Sequence, residues 1–327
     1  MDVSGRSNPG LLRGADMATW SATREDPVFL ERNGLRIAKA GPWTQGPVLL
    51  QSLAILAGDD IAGLDPEGPD FVHLAVEAMK LSYADREAYY GDPADVPVPL
   101  DVLLSPTYAA ARRKLVSMTE ASEICAPGSV AGFERAAGAF AYDAACARIA
   151  EAGLLGRYGG GEPTFAALES SARESAPQPF VGDTCTIEVA DRFGNMVAAT
   201  PSGGWLQSSP VIPELGFPMG TRAQSMSLDP AAPSALAPGR RPRTTLTPTL
   251  VLDGDGACLA MGTPGGDQQD QWQLTFLLRH LDHGYDLQRA SEAPAFHSEH
   301  WPNSFYPRHA RRRRLVLNIP FFAARIM

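Results

Sequence analysis

The spacing of apolar residues changes near residue 184, and this change constrains the fold more than any other feature of the sequence. Before it, Val72, Val76 and Tyr83 recur at helical spacing and predict a helix over residues 70–90. Similar patterns predict further helices over 46–56, 106–116 and 133–153. After it, short alternating segments are separated by turns. Helices followed by hairpins that pack with helices indicate an α+β fold with layered helices and sheets.

The second half of the chain predicts two hairpins and two further helices. Strands at 184–190 and 196–200 are expected to meet at a turn over 191–195, and strands at 249–252 and 257–261 at an Asp- and Gly-rich turn. A helix is expected over about 268–283, with a shorter one near Asp286. Residues 1–45 are expected to be irregular, and 153–178 to form a flexible linker before Thr184.

Composition excludes several classes of protein. The 327 residues carry a net charge of −9, which argues against nucleic acid as a partner. Hydrophobic residues make up 44% and charged residues 20%, as in an ordinary globular chain. No apolar run reaches the roughly 20 residues of a membrane span. The N-terminus has no apolar signal core, so the compartment stays unknown, with the cytoplasm favoured.

Two segments carry groups suited to binding negative charge. Gly265 and Gly266 lie behind the second hairpin at the start of a helix, where backbone amides attract anions. They predict either an oxyanion hole or a tight turn. Thr244 and Thr245 lie in an arginine-rich loop, whose hydroxyls and cations suit a carboxylate, although such a loop can equally be a solvated one.

Metal and cofactor chemistry finds little support. The pairs His280/His283 and His297/His300 have helical spacing, but neither has the Glu that a metalloprotease helix needs directly after its first His. A metal hydrolase remains an alternative that predicts bound zinc. The four cysteines are scattered and are expected to be buried thiols. We therefore expect no cofactor and no metal.

Thr184 is the residue whose chemistry depends on processing. Within an intact chain it is a threonine that opens a strand. If the bond before it is cut, Thr184 carries both a hydroxyl nucleophile and a free α-amine. That amine titrates near pH 7.7–8.0 in model compounds, close to the ideal for a general base at neutral pH.

Several segments, in order along the chain, resemble the γ-glutamyltranspeptidase family of N-terminal-nucleophile hydrolases. Asp183-Thr184-Cys185-Thr186 resembles the self-cleavage site, and Gly262-Thr263-Pro264-Gly265-Gly266 resembles a glycine motif after it. The other matching segments are 46–51, 77–86, 90–93, 191–195, 241–249 and 293–297. Several motifs in the same order are far more specific than any one of them.

The resemblance implies a four-layer αββα sandwich made as one precursor that cuts itself between Asp183 and Thr184. The two segments would stay paired as a heterodimer acting on a small-molecule amide. Thr184 would then be the nucleophile, and the amides of Gly265 and Gly266 would hold the oxyanion. Ser202 stands where the family has a threonine that steers the nucleophile. Thr244 and Thr245 replace a serine pair that contacts a substrate carboxylate.

Departures from the family concern the substrate. Ser225 stands where an acidic residue binds the ammonium of the γ-glutamyl group, Arg222 where a glutamine is expected, and Gly204 where an asparagine is expected. Loss of the acid removes the partner of an ammonium, and Arg222 favours another carboxylate. The segment 41–47 resembles the subgroup of oxamate amidohydrolase, so we expect either a γ-glutamyl amide or an oxamate-like amide as the substrate.

The resemblance also sets expected boundaries. Residues 1–183 correspond to the C-terminal part of the large segment, 184–308 to the small catalytic segment, and 309–327 to an atypical tail. The family has a sizeable portion before this segment, so the chain is expected to be truncated at both ends. This leaves a catalytically inactive remnant as an alternative to an amide-cleaving acyltransferase.

Overall fold

The computed structural model describes residues 12–124, 126–134, 184–203, 211–220, 222–305, 308 and 310–317. The helices are α1 (Gly14–Thr19), α2 (Pro47–Ile55), α3 (Pro69–Tyr89), α4 (Leu100–Leu103), α5 (Pro106–Arg113), α6 (Gln269–Leu281) and α7 (Leu287–Glu292). The strands are β1 (Val28–Arg32), β2 (Leu35–Lys39), β3 (Ile187–Ala190), β4 (Met196–Ala199), β5 (Val211–Ile212), β6 (Phe217–Pro218), β7 (Thr249–Asp253), β8 (Gly256–Met261), β9 (Phe296–Ser298) and β10 (Leu315–Leu317).

The central element is a four-stranded antiparallel sheet in the order β1-β2-β7-β8. Its register aligns Leu30 with Ile37, Ile37 with Val251, and Val251 with Leu259. All four belong to the core or pack against it. This apolar row across the strands faces the helices, because residues two apart on a strand share one face.

Helices α2, α3 and α6 form the layer that covers this row. Pro47 opens α2, where its missing N–H costs nothing, and every residue of α2 is buried. Its polar side chains find partners on α3, since Ser52 Oγ donates to Ser82 Oγ at 3.0 Å and Gln51 donates to Asp85. A helix buried all round needs such internal partners for each polar group.

The helix predictions are confirmed where the structure describes them. The helices expected over 46–56, 70–90, 106–116 and 268–283 correspond to α2, α3, α5 and α6, and α7 begins after Asp286, whose side chain caps it through Arg289 N. Most of the helix expected at 133–153, and the linker at 153–178, lie outside the described residues.

The expectation of an irregular segment over 1–45 is wrong for Gly14–Thr19, which form α1, and for residues 28–39. Residues 28–39 form the hairpin β1–β2, half of the central sheet. Its turn is Asn33-Gly34, with φ of +53° and +76°. Both angles are what a two-residue hairpin turn requires, so the Asn-Gly pair is the signal in the sequence from which this hairpin could have been predicted.

The hairpin β3–β4 is shorter than expected, and every residue of β3 is exposed. The strand predicted from 184 begins at Ile187. Cys185 N donates to Pro201 O in the register of the ladder, but Pro201 has no N–H to complete the pair, so the paired strands end at Ile187 and Ala199. Cys185 and Cys258 are exposed, so the expectation of buried thiols is wrong for these two. The fold of the described residues is α+β, and none of their helices is long and apolar enough to cross a membrane.

Candidate active site

Thr184, Ser202 and Arg222 form a chain of hydrogen bonds. Thr184 Oγ1 donates to Ser202 Oγ at 2.9 Å, and Nη2 of Arg222 donates to the same oxygen at 2.6 Å. Thr184 and Ser202 are partly buried. The structure therefore brings together three predicted site residues that are separated by up to 38 positions. The hydroxyl of Ser202 orients the hydroxyl of Thr184, and the cation of Arg222 binds the same Ser202 oxygen.

The guanidinium of Arg222 is held by a short 3-10 turn over 222–225. Ser225 Oγ donates to the carbonyl of Arg222 at 2.7 Å, and Arg308 donates to the carbonyl of Ser225. The ring centroid of Phe305 lies 5.5 Å from the guanidinium carbon, within the range of a cation–π contact. Ser225 is fully buried, and its hydroxyl serves the turn that presents Arg222.

Gly265 and Gly266 form the turn that leads into α6. Gly265 has φ +126°, which disfavours any side chain, and a Cβ there would come within 2.5 Å of the ring of Trp272. Gly266 has φ +58°. Only glycine leaves room for the Trp272 ring beside this turn. The two amides lie at the start of a helical segment, where backbone N–H groups favour negative charge.

Thr244 and Thr245 lie on an extended segment paired with residues 43–45. Thr244 N donates to Trp43 O, and Gln45 N donates to Thr244 O, both at 2.9 Å. Both threonines are buried, with 8% and 0% exposure. Their hydroxyls have no hydrogen-bond partner among the described residues. Leaving a buried hydroxyl unpaired costs about 1–3 kcal/mol, which favours a polar ligand group at this wall.

Gln45 connects this threonine wall to the glycine turn. Its backbone N–H bonds Thr244, and its side-chain Nε2 donates to the carbonyl of Gly266 at 3.3 Å. Its Oε1 accepts from Arg86 at 2.9 Å. The wall and the turn are thus held in one frame by a single buried side chain, to which the sequence reasoning assigned no role.

A fully buried ion pair anchors the far end of the threonine segment. Lys39 Nζ lies 3.1 Å from Asp270 Oδ1 and donates to Thr247 O at 3.0 Å. Thr247 Oγ1 donates to the same carboxylate at 2.7 Å. Burial raises the pKa of Asp270 and lowers that of Lys39, while each partner stabilises the charge of the other.

Beneath the turn lies a cluster of buried charges, and it is what the sequence reasoning missed most clearly. Arg86 pairs with Asp267, the residue after the glycines, and lies 2.8 Å from Glu87. Arg243 and Arg308 also contact Glu87, at 2.6 and 3.4 Å. Burial would raise the pKa of Glu87, but Arg243, Arg86 and Arg308 outweigh it and hold the value at about 2.

The cluster also reaches the turn that carries Arg222, on the side of the site where Thr184 lies. Ser304 donates to Asp267 through its N–H at 2.7 Å and its hydroxyl at 2.6 Å, and the next residue is Phe305, over which Arg222 lies. Arg308 joins Glu87 to the turn that carries Arg222. The same charges therefore support both sides. Asp183 and Gly204 lie outside the described residues.

The surroundings of the pair His297/His300 are those of histidines packed in the protein interior. His297 and His300 are buried, and burial lowers the pKa of each to about 4. The ring of His297 meets that of Trp272 edge to face, with 5.7 Å between centroids. Within the described part of the chain, no group of three or more His, Cys, Asp or Glu side chains is placed to hold a metal ion.

Comparison with known proteins identifies relatives of one kind. The family model described as Gamma-glutamyltranspeptidase matches residues 2–309. The glutathione hydrolase proenzyme of Bacillus subtilis (strain 168) is 27% identical, covering 88% of this chain and 44% of its own. The acylase ACY 1 proenzyme of Pseudomonas sp. (strain SE83) is 29% identical, and the match covers 90% of this chain and 44% of the acylase. The oxamate amidohydrolase proenzyme of Klebsiella pneumoniae is 28% identical, and the match covers 85% of this chain and 43% of the amidohydrolase.

Solved structures agree with these relatives. The structure of LmbA2991HD is 46% identical, with a TM-score of 0.76, and covers 97% of this chain and 50% of its own. The cephalosporin acylase of Bacillus halodurans is 26% identical, with a TM-score of 0.64, and covers 90% and 44%. The chain thus spans about half the length of the relatives it matches.

Proposed function

The chain belongs to the γ-glutamyltranspeptidase family, and from that premise we propose that it is part of a self-processing amidohydrolase or acyltransferase with Thr184 as its nucleophile. The relatives named proenzymes support processing, since that word describes a chain made as an inactive precursor. The observation that carries the proposal is the 2.9 Å bond from Thr184 Oγ1 to Ser202 Oγ, which orients a hydroxyl at the predicted cleavage site.

In the proposed first reaction, Thr184 Oγ1 attacks the carbonyl carbon of Asp183. The C–O bond forms, the C–N bond to Thr184 breaks, and the hydroxyl proton passes to the departing nitrogen. Water then hydrolyses the ester, which leaves a carboxyl on Asp183 and restores the hydroxyl. The freed α-amine becomes the base for the second reaction, in which Thr184 takes an acyl group from an amide. Gly265 and Gly266 would hold each oxyanion.

The finer fold and the division of the chain belong to the same proposal. Helices α2, α3 and α6 cover one face of the central sheet, and the hairpin β3–β4 lies beside β8, where Gly262 leaves room for Thr186. This order supports a helix, sheet, sheet arrangement that belongs to a four-layer αββα sandwich. Residues 1–183 and 184–308 would be the large and small segments, paired as a heterodimer after the cut, with 309–327 as a tail.

The site favours an amide whose acyl portion carries a carboxylate. Arg222 lies next to the nucleophile, and the buried hydroxyls of Thr244 and Thr245 offer further hydrogen bonds. An oxamate-type amide is the second candidate, and the observation favouring it over a γ-glutamyl amide is that Ser225 is neutral, buried and bonded within its own turn. A substrate ammonium therefore has no carboxylate at this position to receive it.

The first test is self-cleavage of the purified chain. We expect two fragments on a denaturing gel, divided between Asp183 and Thr184, and a single uncut chain for Thr184→Ala. Thr184→Ser keeps a hydroxyl and should still cut, more slowly. N-terminal sequencing of the small fragment should begin at Thr184. A wild-type chain that remains whole after prolonged incubation would contradict the proposal and favour the inactive remnant.

Substrate class needs a second measurement. The cut chain is incubated with γ-glutamyl, acyl and oxamyl amides, and the mass added to the Thr184 fragment is read by mass spectrometry. An added acyl group identifies the donor. If the chain cuts itself but no donor adds mass, the processing stands and the amide-cleaving activity does not.

A further inference from the structure

We propose that Arg222 is the positioning residue for self-cleavage, acting through Ser202 at the stage when Thr184 has no free amine. This inference rests on the proposed function. Before the cut, the nitrogen of Thr184 is an amide and cannot serve as a base. Another group must then make the hydroxyl reactive, and the cation beside it is Arg222.

The geometry supports a charge effect on Thr184. Nη2 of Arg222 and Oγ1 of Thr184 both donate to Ser202 Oγ, at 2.6 and 2.9 Å. Because the two bonds share this oxygen, the distance from Nη2 of Arg222 to Oγ1 of Thr184 cannot exceed the two lengths added together. A positive charge within about 4–6 Å stabilises the ionised form of a group and lowers its pKa by roughly 1–3 units. Negative charge that develops on Thr184 Oγ1 during attack is therefore stabilised.

The guanidinium is seated firmly enough to act from a fixed position. Phe305 lies under it at 5.5 Å, and Ser225 and Arg308 hold its turn through backbone carbonyls. Among the described residues, Arg308 also links this turn to the buried carboxylate of Glu87. Arg243, Arg86 and Arg308 hold the pKa of Glu87 at about 2, so Glu87 keeps its negative charge between pH 6 and 10.

Glutamine, the residue that the family resemblance leads one to expect at this position, can donate the hydrogen bond to Ser202 but supplies no charge. Arg222→Gln therefore separates the two contributions of the side chain. Arg222→Lys makes the opposite exchange, because it keeps the charge and loses the planar group. A role in charge stabilisation predicts different pH profiles for the two variants, whereas a structural role predicts similar ones.

The experiment follows self-cleavage of the full chain from its synthesis. Wild-type and variant chains are labelled in cell-free translation and moved into buffers from pH 6 to 10, and the cut fraction is read on a denaturing gel. Arg222→Gln should cut roughly 10- to 100-fold more slowly at pH 7, with its pH profile moved up by about 1–2 units. Arg222→Lys should keep the wild-type profile at a reduced rate. Arg192→Gln, in the exposed turn of β3–β4, is the control and should match wild type.

Each outcome decides the matter. An Arg222→Gln chain that cuts at the wild-type rate overturns the inference, and so does one slowed by the same factor at every pH. If Arg222→Gln does not fold, which circular dichroism would show, the Lys variant decides: an altered profile overturns the inference. If wild type and Arg192→Gln both stay uncut at every pH, the proposed function itself fails and the inference falls with it.

Discussion

The two sides of the candidate site differ in burial. One side consists of the threonine wall (Thr244 and Thr245) and the glycine turn (Gly265 and Gly266), and the other consists of Thr184 and the hairpin β3–β4 that follows it. The threonine wall and the glycine turn rest on buried charges, with Arg86 and Arg243 at 0–1% and Asp267 at 4% exposure. The strand after Thr184 is exposed throughout, and Ile187, Val189 and Val197 form one exposed apolar face. Thr186 and Glu188, on the opposite face, lie against Gly262, the residue directly after β8 of the central sheet.

This difference fits the roles proposed for the two sides. The amides of Gly265 and Gly266, proposed to hold the oxyanion, lie where buried ion pairs make movement costly. Thr184, the proposed nucleophile, lies next to an exposed hairpin, and a segment with few buried contacts opens more readily. The proposed cut next to Thr184 requires some freedom there and a rigid frame opposite it.

The largest expected effect comes from breaking the rigid side. Arg86→Met should lower the free energy of unfolding by about 3–5 kcal/mol, because Asp267 and Glu87 lose a buried partner. Urea unfolding measures this, and the Thr184→Ala background keeps every chain uncut. Arg192→Gln, on the exposed hairpin, should stay within about 0.5 kcal/mol. Equal losses in the two variants would remove the contrast between the regions.

The next effect concerns pH. His297 has a folded pKa of about 4, below its usual 6.5, so its contribution to stability is complete above pH 6.5 and is lost as pH falls toward 4. His297→Phe should reduce the loss of stability over this range by on the order of 1–3 kcal/mol, with the slope from His300 remaining. Urea unfolding at pH 7, 5.5 and 4.5 tests it.

A pair of valines gives the smallest and most direct comparison. Val251, 1% exposed, lies in the core-facing row of the sheet, and Val189 is 53% exposed. Replacement by Thr keeps the shape and adds a hydroxyl. We expect Val251→Thr to cost about 1–3 kcal/mol and Val189→Thr about 0.5 kcal/mol or less. A loss above 1 kcal/mol for Val189→Thr in thermal unfolding would mean that this face is covered in solution.

Local patterns predicted much of the fold and some of the site. Helices α2, α3 and α6 followed from spacing and from Pro47, because these signals act within one element. The hairpin β1–β2 could have been predicted from Asn33-Gly34 and was missed. The site could be predicted only as separate pieces, such as Thr184 and the glycine pair. Nothing local links Gln45 to Gly266, which lie 221 positions apart.

The sequence by itself determined the order of helices and strands, the glycines at the turn and the residues in the family motifs. Each of these depends on a residue's own conformational limits or on neighbours a few positions away. The tertiary structure alone decided that Arg222 shares an oxygen with Thr184, and that Arg86 and Glu87 support the turn at Asp267. Such contacts depend on how distant segments pack, since burial changes the cost of a charge and only packing decides which charges are buried together.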